Sequence, residues 1–412
     1  MQNEIIIDAD PSSKSIRVAL LEEGDLVELL LEDAQNQNLV GGIYRGKVAS
    51  VLPGMQAAFI DIGLEKNAFL YAGDVVHNIP HIENPNITDL LKPGQELTVQ
   101  IVKEPMGTKG CRVTTKITLP GRNLVLLPNE NYIGISRRIE KESERNSLKK
   151  LAEKHKPEGM GLIVRTAAEG KSEEDFKDDI DFLIKLWKGI VEKEKKGNVP
   201  RCLYNDTDLI IRTVRDLFTD DTQKLIVNDK QSYEKILELV EMISPSLIKR
   251  VHFYNKEYCI FEYYQIESKI SRAISRKVWL KSGGYILIDK TEALTVIDVN
   301  TGKFTGKKNL EDTVLKTNIE AAGEIAKQLR LRDIGGIIII DFIDMCEAEH
   351  KQMVIDELKQ ELKKDRTKTT IVGMTGLGLI EMTRKKIRKE LTTVMTESCP
   401  HCNGTGKLPI GV

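Results

Sequence analysis

The sequence predicts an α+β chain of several domains. Three observations predict it. Short, glycine-punctuated β-rich runs fill the chain up to Thr118; charged, helix-favouring stretches then alternate with short apolar runs; and a long strand–loop–helix–strand unit spans Leu294 to Asp344. A chain of 412 residues is long enough for two to four cores.

Charge and cysteine usage narrow the class. Lysine and arginine number 61 against 62 acidic residues, so any contact with nucleic acid must come from local basic patches. The opening "MQNEIIIDADPSS" is acidic and turns early, unlike a secretory signal, and no apolar run reaches the length of a membrane span. Six cysteines without a regular framework suit a reducing cytoplasm, with Cys111, Cys202, Cys259 and Cys346 read as packed thiols.

Taken in order, residues 1–37 alternate and turn as a β-meander. From Asn38 to Thr118, short strands with regular glycines imply a small barrel. There Tyr44, Phe59, Phe69 and Tyr71 are interleaved with Arg45, Lys47, Lys66 and Lys109, the composition of a single-strand-binding surface. A barrel core also needs aromatics, and by pattern alone the core is the commoner fate. The order "GxYxGxV…G…AAFxDxGxxxxAFL" resembles the S1 domain, an RNA-binding OB-fold, which favours the surface reading for Phe59 and Phe69.

Residues 119–199 are more charged. "SRRIEKESERNSLKKLAEKH" and "SEEDFKDDIDFLIKLWKGIVEKEKK" read as helices with solvated charged faces. Between them "GMGLIVRTAAEG" is a strand ending in Arg165 and Thr166, a guanidinium and a hydroxyl able to clasp a phosphate. Residues 200–280 return to alternating strands and helices of one α/β layer, in which His252 reads as structural.

The Leu294–Asp344 unit carries the chemistry. Leu294 to Val299 is β-branched, Asn309 looks like an N-cap followed by Glu311 and Asp312, and Leu310, Val314, Ala321, Ile325 and Leu329 recur at helical spacing before Gly335-Gly336. Such a unit makes a right-handed crossover between parallel strands, so Asp298 and Asp341 should meet at one carboxyl edge. Alternation puts Asp298 and Asn300 on one face and sends Asp341 and Asp344 to opposite faces. Two carboxylates and a carboxamide are hard oxygen donors suited to Mg²⁺ or Mn²⁺ acting on phosphate esters. Lys303, Lys307 and Lys308 lie in the loop between. A strand-end aspartate is also a common turn residue, and spacing alone leaves both readings open.

After Asp344 come a helix, "HKQMVIDELKQELKKD", a strand, "KTTIVGMTGLGLIEMT", a basic "RKKIRKEL" and a lone CxxC, Cys399 and Cys402. Two thiolates fill half of a tetrahedral zinc shell. Either a second chain supplies the other half across a two-fold axis, or the pair is redox-active; the "NGTG" turn that follows favours shared zinc.

The whole chain, in order, resembles the ribonuclease E/G family. The resemblance is carried by the barrel around Phe59 and Phe69, "ISRRIE", "GLIVRT", "IDVNTGKFTGKKNLEDT", "NIEAAGEIAKQLRLRDIGGIIIIDFIDM", "GLIEMTRK" and "CPHCNGTG". It implies a Mg²⁺-dependent endoribonuclease specific for single strands, preferring a 5′-monophosphate and acting in ribosomal RNA 5′ maturation and messenger RNA turnover. Residue by residue, it implies that Asp298 and Asp341 hold the metal, that Asn300 orients the phosphate or the attacking water, and that Asp344 stays outside the first shell. Phe59, Phe69 and Lys109 would grip RNA. Gly121, Val125, Arg165 and Thr166 would sense the 5′-phosphate, with Lys368 where some members have arginine. Cys399 and Cys402 would form a zinc link joining a homodimer.

The implied domains are a non-catalytic ribonuclease-H-like subdomain (1–37 and 200–280), the S1 barrel (38–118), the 5′-sensor (119–199), a DNase-I-like catalytic subdomain (281–396) and the zinc link (397–412). The chain stops shortly after the zinc link, short of the small C-terminal domain and scaffold tail of longer members, which leaves tetramer versus dimer open and offers no scaffold tail for a degradosome. The alternative is a non-catalytic RNA-binding or ribosome-assembly factor on the same fold, which has no need of a metal pair; a deoxyribonuclease fits the RNA-type barrel less well.

Overall fold

The computed structural model describes residues 3–13, 15–32, 39–76, 85–105, 110–205, 208–303, 310–397, 399–402, 404 and 406. The chain divides into two compact units, Met1–Asp8 with Arg17–Leu30 and Asn255–Val412, and Ala9–Ile16 with Leu31–Tyr254.

The second of these holds the expected barrel. Strands Ile43–Leu52, Ala57–Asp61, Ala68–Tyr71, Arg112–Thr114 and Glu96–Lys103 pair in that order, and the last returns to the first through Ile43↔Gln100 to Lys47↔Glu96, closing five strands. Alternation fills the interior with Val48, Ile60, Leu70, Val99, Ile101 and Val113, all buried. A four-stranded sheet follows, Ile133–Ile135, Gly161–Val164, Leu124–Leu127 and Leu119–Pro120. Helices Glu142–His155 and Glu173–Glu194 cover it through Leu148, Ala152, Phe176, Ile180 and Leu183. The "SRRIE" expected to be helical is instead a turn that follows the strand Ile133–Ile135. The Arg145 guanidinium donates to the carbonyls of Ser136 and Ile139 at 2.8 and 3.0 Å, and that fixes the turn.

Farther on, strands Thr222–Val227 and Val251–Phe253 pair in parallel, with helix Lys230–Ile243 between them in sequence. "DTDLIIRTVRDLF" alternates in sequence yet forms a helical turn, Leu209–Arg212, continued by a π-turn, Thr213–Leu217, because the Asp208 carboxylate caps the amides of Ile210 and Ile211. His252, read as structural, is exposed on its strand.

The other unit takes in most of the strands Asn3–Asp10, Ser15–Glu22 and Asp25–Glu32, which lie side by side as the meander predicts. Its main sheet runs Lys277–Trp279, Tyr285–Lys290, Leu294–Asn300, Gly336–Asp341, Ile380–Arg384, Thr369–Met374. Ile286, Ile297, Val299, Ile338, Ile340 and Met382 point to one face and are buried with Ala321, Ile325, Leu329, Val354 and Leu358 of helices Leu310–Leu331 and Ala348–Leu362. Each such isoleucine contributes about 2 kcal/mol of transfer free energy. The opposite residues Tyr285, Leu287, Asp298, Asn300, Ile339 and Asp341 are partly or fully exposed. The single strand expected after the second helix is a hairpin, turned where the amides of Gly378 and Thr375 meet the carbonyls of Thr375 and Leu379.

Of the four cysteines read as packed, only Cys111 is buried. Cys202, Cys259 and Cys346 are exposed, on a four-residue strand, before a helical turn and in the loop after Asp341. Among the described residues, no helix is long and apolar enough to cross a membrane.

Candidate active site and nucleic-acid interface

Strands Leu294–Asn300 and Gly336–Asp341 are parallel neighbours, and Asp298 lies directly opposite Asp341. Asn300, two residues on and on the same face, donates from Nδ2 to Asp298 Oδ2 at 2.8 Å. Partial burial, then the charges of Asp298 and Asp344, push the Asp341 carboxyl above the ordinary aspartate value. The Asp344 charge reaches Asp341 from the loop beyond the end of the strand. Gly302, just after Asn300, adopts φ +56°, and a Cβ there would lie 2.6 Å from the Gly283 carbonyl oxygen, so the turn requires glycine. Lys303 is exposed in this turn; Lys307, Lys308 and Asn309 lie outside the described residues.

The loop after Asp341 is tied to the crossover helix. The fully buried Asn318 donates from Nδ2 to the Ile343 carbonyl at 2.8 Å and accepts the Ile343 amide at 3.1 Å, while Glu311 accepts the Cys346 amide at 3.1 Å. Glu311, Glu347 and His350 gather their donor atoms within 4.8 Å of one another. Sequence reading missed Asn318, although it interrupts the apolar stripe between Val314 and Ala321.

On the barrel, Phe59 and Phe69 are cross-strand partners with ring centroids 5.6 Å apart, and Phe69 meets Tyr71 at 4.5 Å. Both phenylalanines are half-buried and Tyr71 is exposed. Arg112 lies over the Tyr71 ring at 4.8 Å, held by Asp74 at 2.8 Å. The patch thus extends beyond the two predicted rings to Tyr71 and Arg112. Tyr44 is buried, and Lys109 lies outside the described residues.

Arg165 and Thr166 follow the strand Gly161–Val164. Arg165 donates to the Gly121 carbonyl and pairs with Asp216 at 2.7 Å, while the Thr166 hydroxyl meets Ser136 Oγ at 3.0 Å. The buried Asp179 carboxylate accepts the amides of Arg122, Asn123 and Leu124 at 3.0, 2.8 and 2.8 Å. Burial raises its pKa against the pull of these three amides. A Cβ on Gly121 would fall 2.5 Å from Asp179 Oδ1, so only glycine fits there. Val125 continues this loop as a strand residue opposite Pro120 and Ile163. Three of the expected sensor residues, Gly121, Arg165 and Thr166, therefore share one neighbourhood that Asp179 and Asp216 organise. Lys368, in the other unit, is exposed beside strand Thr369–Met374. Cys399 is exposed, and the Cys402 thiol accepts the Gly406 amide at 3.3 Å.

A closed barrel with an aromatic and cationic face, carried with a carboxylate pair at a sheet edge, defines a protein that binds and cleaves nucleic acid. The chain belongs to the Ribonuclease E/G family, whose sequence profile matches residues 118–387. It is 45% identical over 417 residues to Ribonuclease G of Salmonella typhimurium (strain SL1344), covering 98% of this chain and 84% of that one. It is 44% identical over 413 residues to Ribonuclease G of Haemophilus influenzae, with the same two coverages, and 40% identical over 402 residues to Ribonuclease E of that organism, covering 96% of this chain and 43% of the other. The protein is an endoribonuclease, a hydrolase of RNA processing.

Proposed function

We propose that the chain is a divalent-metal-dependent endoribonuclease that cuts single-stranded RNA at Asp298, Asn300 and Asp341 and prefers a 5′-monophosphate. The observation that carries this reading is the direct opposition of Asp298 and Asp341 on parallel strands, with Asn300 bonded to Asp298. The residues fit a hard cation: burial first, and then the charges of Asp298 and Asp344, raise the Asp341 pKa, and Mg²⁺ or Mn²⁺ would relieve the repulsion. Bound there, the cation would polarise the scissile phosphate and acidify a bound water. Asn300 spends an N–H on Asp298 and keeps its carbonyl oxygen to orient the water. The P–O3′ bond breaks, leaving 3′-hydroxyl and 5′-phosphate ends.

RNA is gripped at Phe59, Phe69, Tyr71 and Arg112 by stacking and charge. The 5′-phosphate is read by Arg165 and Thr166, with the backbone of Gly121 and Val125. Zinc shared by Cys399 and Cys402 of two copies makes a dimer. Ribosomal RNA maturation and messenger RNA turnover are the roles this chemistry suits.

The test uses one internally labelled single-stranded RNA with a 5′-monophosphate or a 5′-hydroxyl, in Mg²⁺ or EDTA. Metal-dependent cutting that is lost in Asp341→Asn, with RNA binding retained, supports the centre; wild-type rates in Asp298→Asn overturn it. Equal rates on both 5′ ends remove the sensor but leave the nuclease. An active dimeric Cys399→Ser removes the shared zinc.

A further inference from the structure

We propose that the open face of the catalytic sheet carries a base-stacking subsite, made by Trp279, Tyr285 and Lys277, for a nucleobase of the RNA strand being cut. The proposal rests on the reading that Asp298, Asn300 and Asp341 form the cleavage centre.

Register places the group. Trp279 lies opposite Tyr285, and Tyr285 lies opposite Asn300, so the three form one row across three strands. The next row runs Lys277, Leu287, Asp298, Asp341. Residues directly opposite share a face, and positions two apart along a strand share it too. Trp279, Tyr285 and Lys277 therefore stand on the face that holds Asp298, Asn300 and Asp341, away from the helices. Trp279 is two strand spacings from Asn300, about 10 Å. A single strand rises about 3.4 Å per stacked nucleotide, and more when extended, so it covers that span in about three nucleotides or fewer.

The local geometry is that of a stacking platform. The Trp279 and Tyr285 rings meet edge to face with centroids 5.4 Å apart, and Lys277 Nζ lies 4.0 Å from one and 3.6 Å from the other. Trp279 is 55% exposed on a three-residue strand, whereas its neighbours Val278 and Leu280 turn to the core. The catalytic turn braces the platform: the Lys303 amide donates to the Gly283 carbonyl at 3.2 Å, and a Cβ on Gly302 would lie 3.1 Å from the Tyr285 ring. A half-buried cation, Lys277, thus lies against two rings in line with the carboxylates, and the exposed Lys303 stands in the catalytic turn. Single-stranded nucleic acid is the ligand that needs both, a π-face for a base and a cation for the adjoining phosphate. A protein partner has no such need of a cation held against two rings beside a phosphodiester-cleaving centre.

The test walks one abasic nucleotide through the three positions on each side of the cut in a short 5′-monophosphorylated RNA. Intact and abasic substrates are compared within each of wild type, Trp279→Ala and Trp279→Phe, so that the fraction of active enzyme cancels. The expected result is an about tenfold loss of kcat/KM for wild type at one position within three nucleotides of the cut, no further loss at that position in Trp279→Ala, and recovery of the sensitivity in Trp279→Phe. Equal abasic penalties in wild type and Trp279→Ala overturn the proposal, as does a change of oligomeric state in Trp279→Ala on gel filtration, which would assign the ring to a subunit contact. Failure of the cleavage centre itself reads out separately, as wild-type cutting by Asp298→Asn.

Discussion

Asn318 grips both backbone groups of Ile343, two residues beyond Asp341, with the two ends of a single buried amide. The clasp joins the crossover helix to the loop that carries Asp344, so the position of Asp341 depends on a side chain that touches no substrate. An amide left without a partner here costs about 1–3 kcal/mol. Asn318→Ala is expected to lower kcat about tenfold to a hundredfold with little change in KM, since RNA is held elsewhere. Steady-state kinetics on a short single-stranded RNA check it; an unchanged kcat would make Asn318 purely structural.

Asp341 is pushed up by burial and then by the charges of Asp298 and Asp344. A raised carboxyl takes up its proton at a higher pH than an ordinary aspartate, so activity that needs it ionised should fall as acid is added before pH 3.8 is reached. Asp344→Asn removes one of the repelling charges and should move the acid limb of kcat/KM to lower pH. A pH profile at limiting Mg²⁺, where protonation competes with metal capture, reads the shift, and a limb that stays put would mean that Asp344 does not act on Asp341.

Tyr71 and Arg112 extend the aromatic face of the barrel. Base stacking is lost about 1–3 kcal/mol at a time. Tyr71→Ala should therefore raise KM for single-stranded RNA about tenfold and leave kcat close to wild type, as seen by titrating substrate at constant Mg²⁺.

Much of this was legible in the sequence where one element speaks for itself. The alternation of Leu294–Asn300 and Gly336–Asp341, and the long helix between them, put Asp298 opposite Asp341 without any knowledge of the rest. Asn318 goes unread in the sequence although a signal is there, a polar residue at i+4 from Val314 and i−3 from Ala321, where a helix shows its core stripe. Tyr71 stood among the barrel aromatics, but its partner Arg112 is far off in sequence, and nothing local announces that they meet. Trp279 sits on a strand of three residues, too short for a periodicity. Asp179 looks like a member of a solvated charge run, and Asp216 lies in "DTDLIIRTVRDLF", which alternates; only the closed fold turns them inward. The hairpin Thr369–Arg384 was read as one strand because glycines at its tip serve equally well as strand irregularities or a turn.

Asp216 carries the last prediction. Burial opposes its charge, yet Arg215 and Arg165 together hold its carboxyl below the ordinary aspartate value. Arg215 is itself buried and bonds Asp216 at 2.9 Å. Asp216→Asn removes that cation's counter-charge, and breaking a buried pair from one side costs about 3 kcal/mol or more. Because the folded pKa is depressed, the contribution is fully present above the unfolded value of 3.8 and is lost as pH falls through the folded one. Urea unfolding should therefore find the variant less stable at neutral pH, with the gap to wild type closing on acidification below pH 4. Arg165, freed from Asp216, also loses its fixed direction, so the same variant should cut 5′-monophosphate and 5′-hydroxyl RNA at more nearly equal rates. A variant that is less stable but keeps the wild-type ratio would separate the two roles and leave Asp216 to the fold alone.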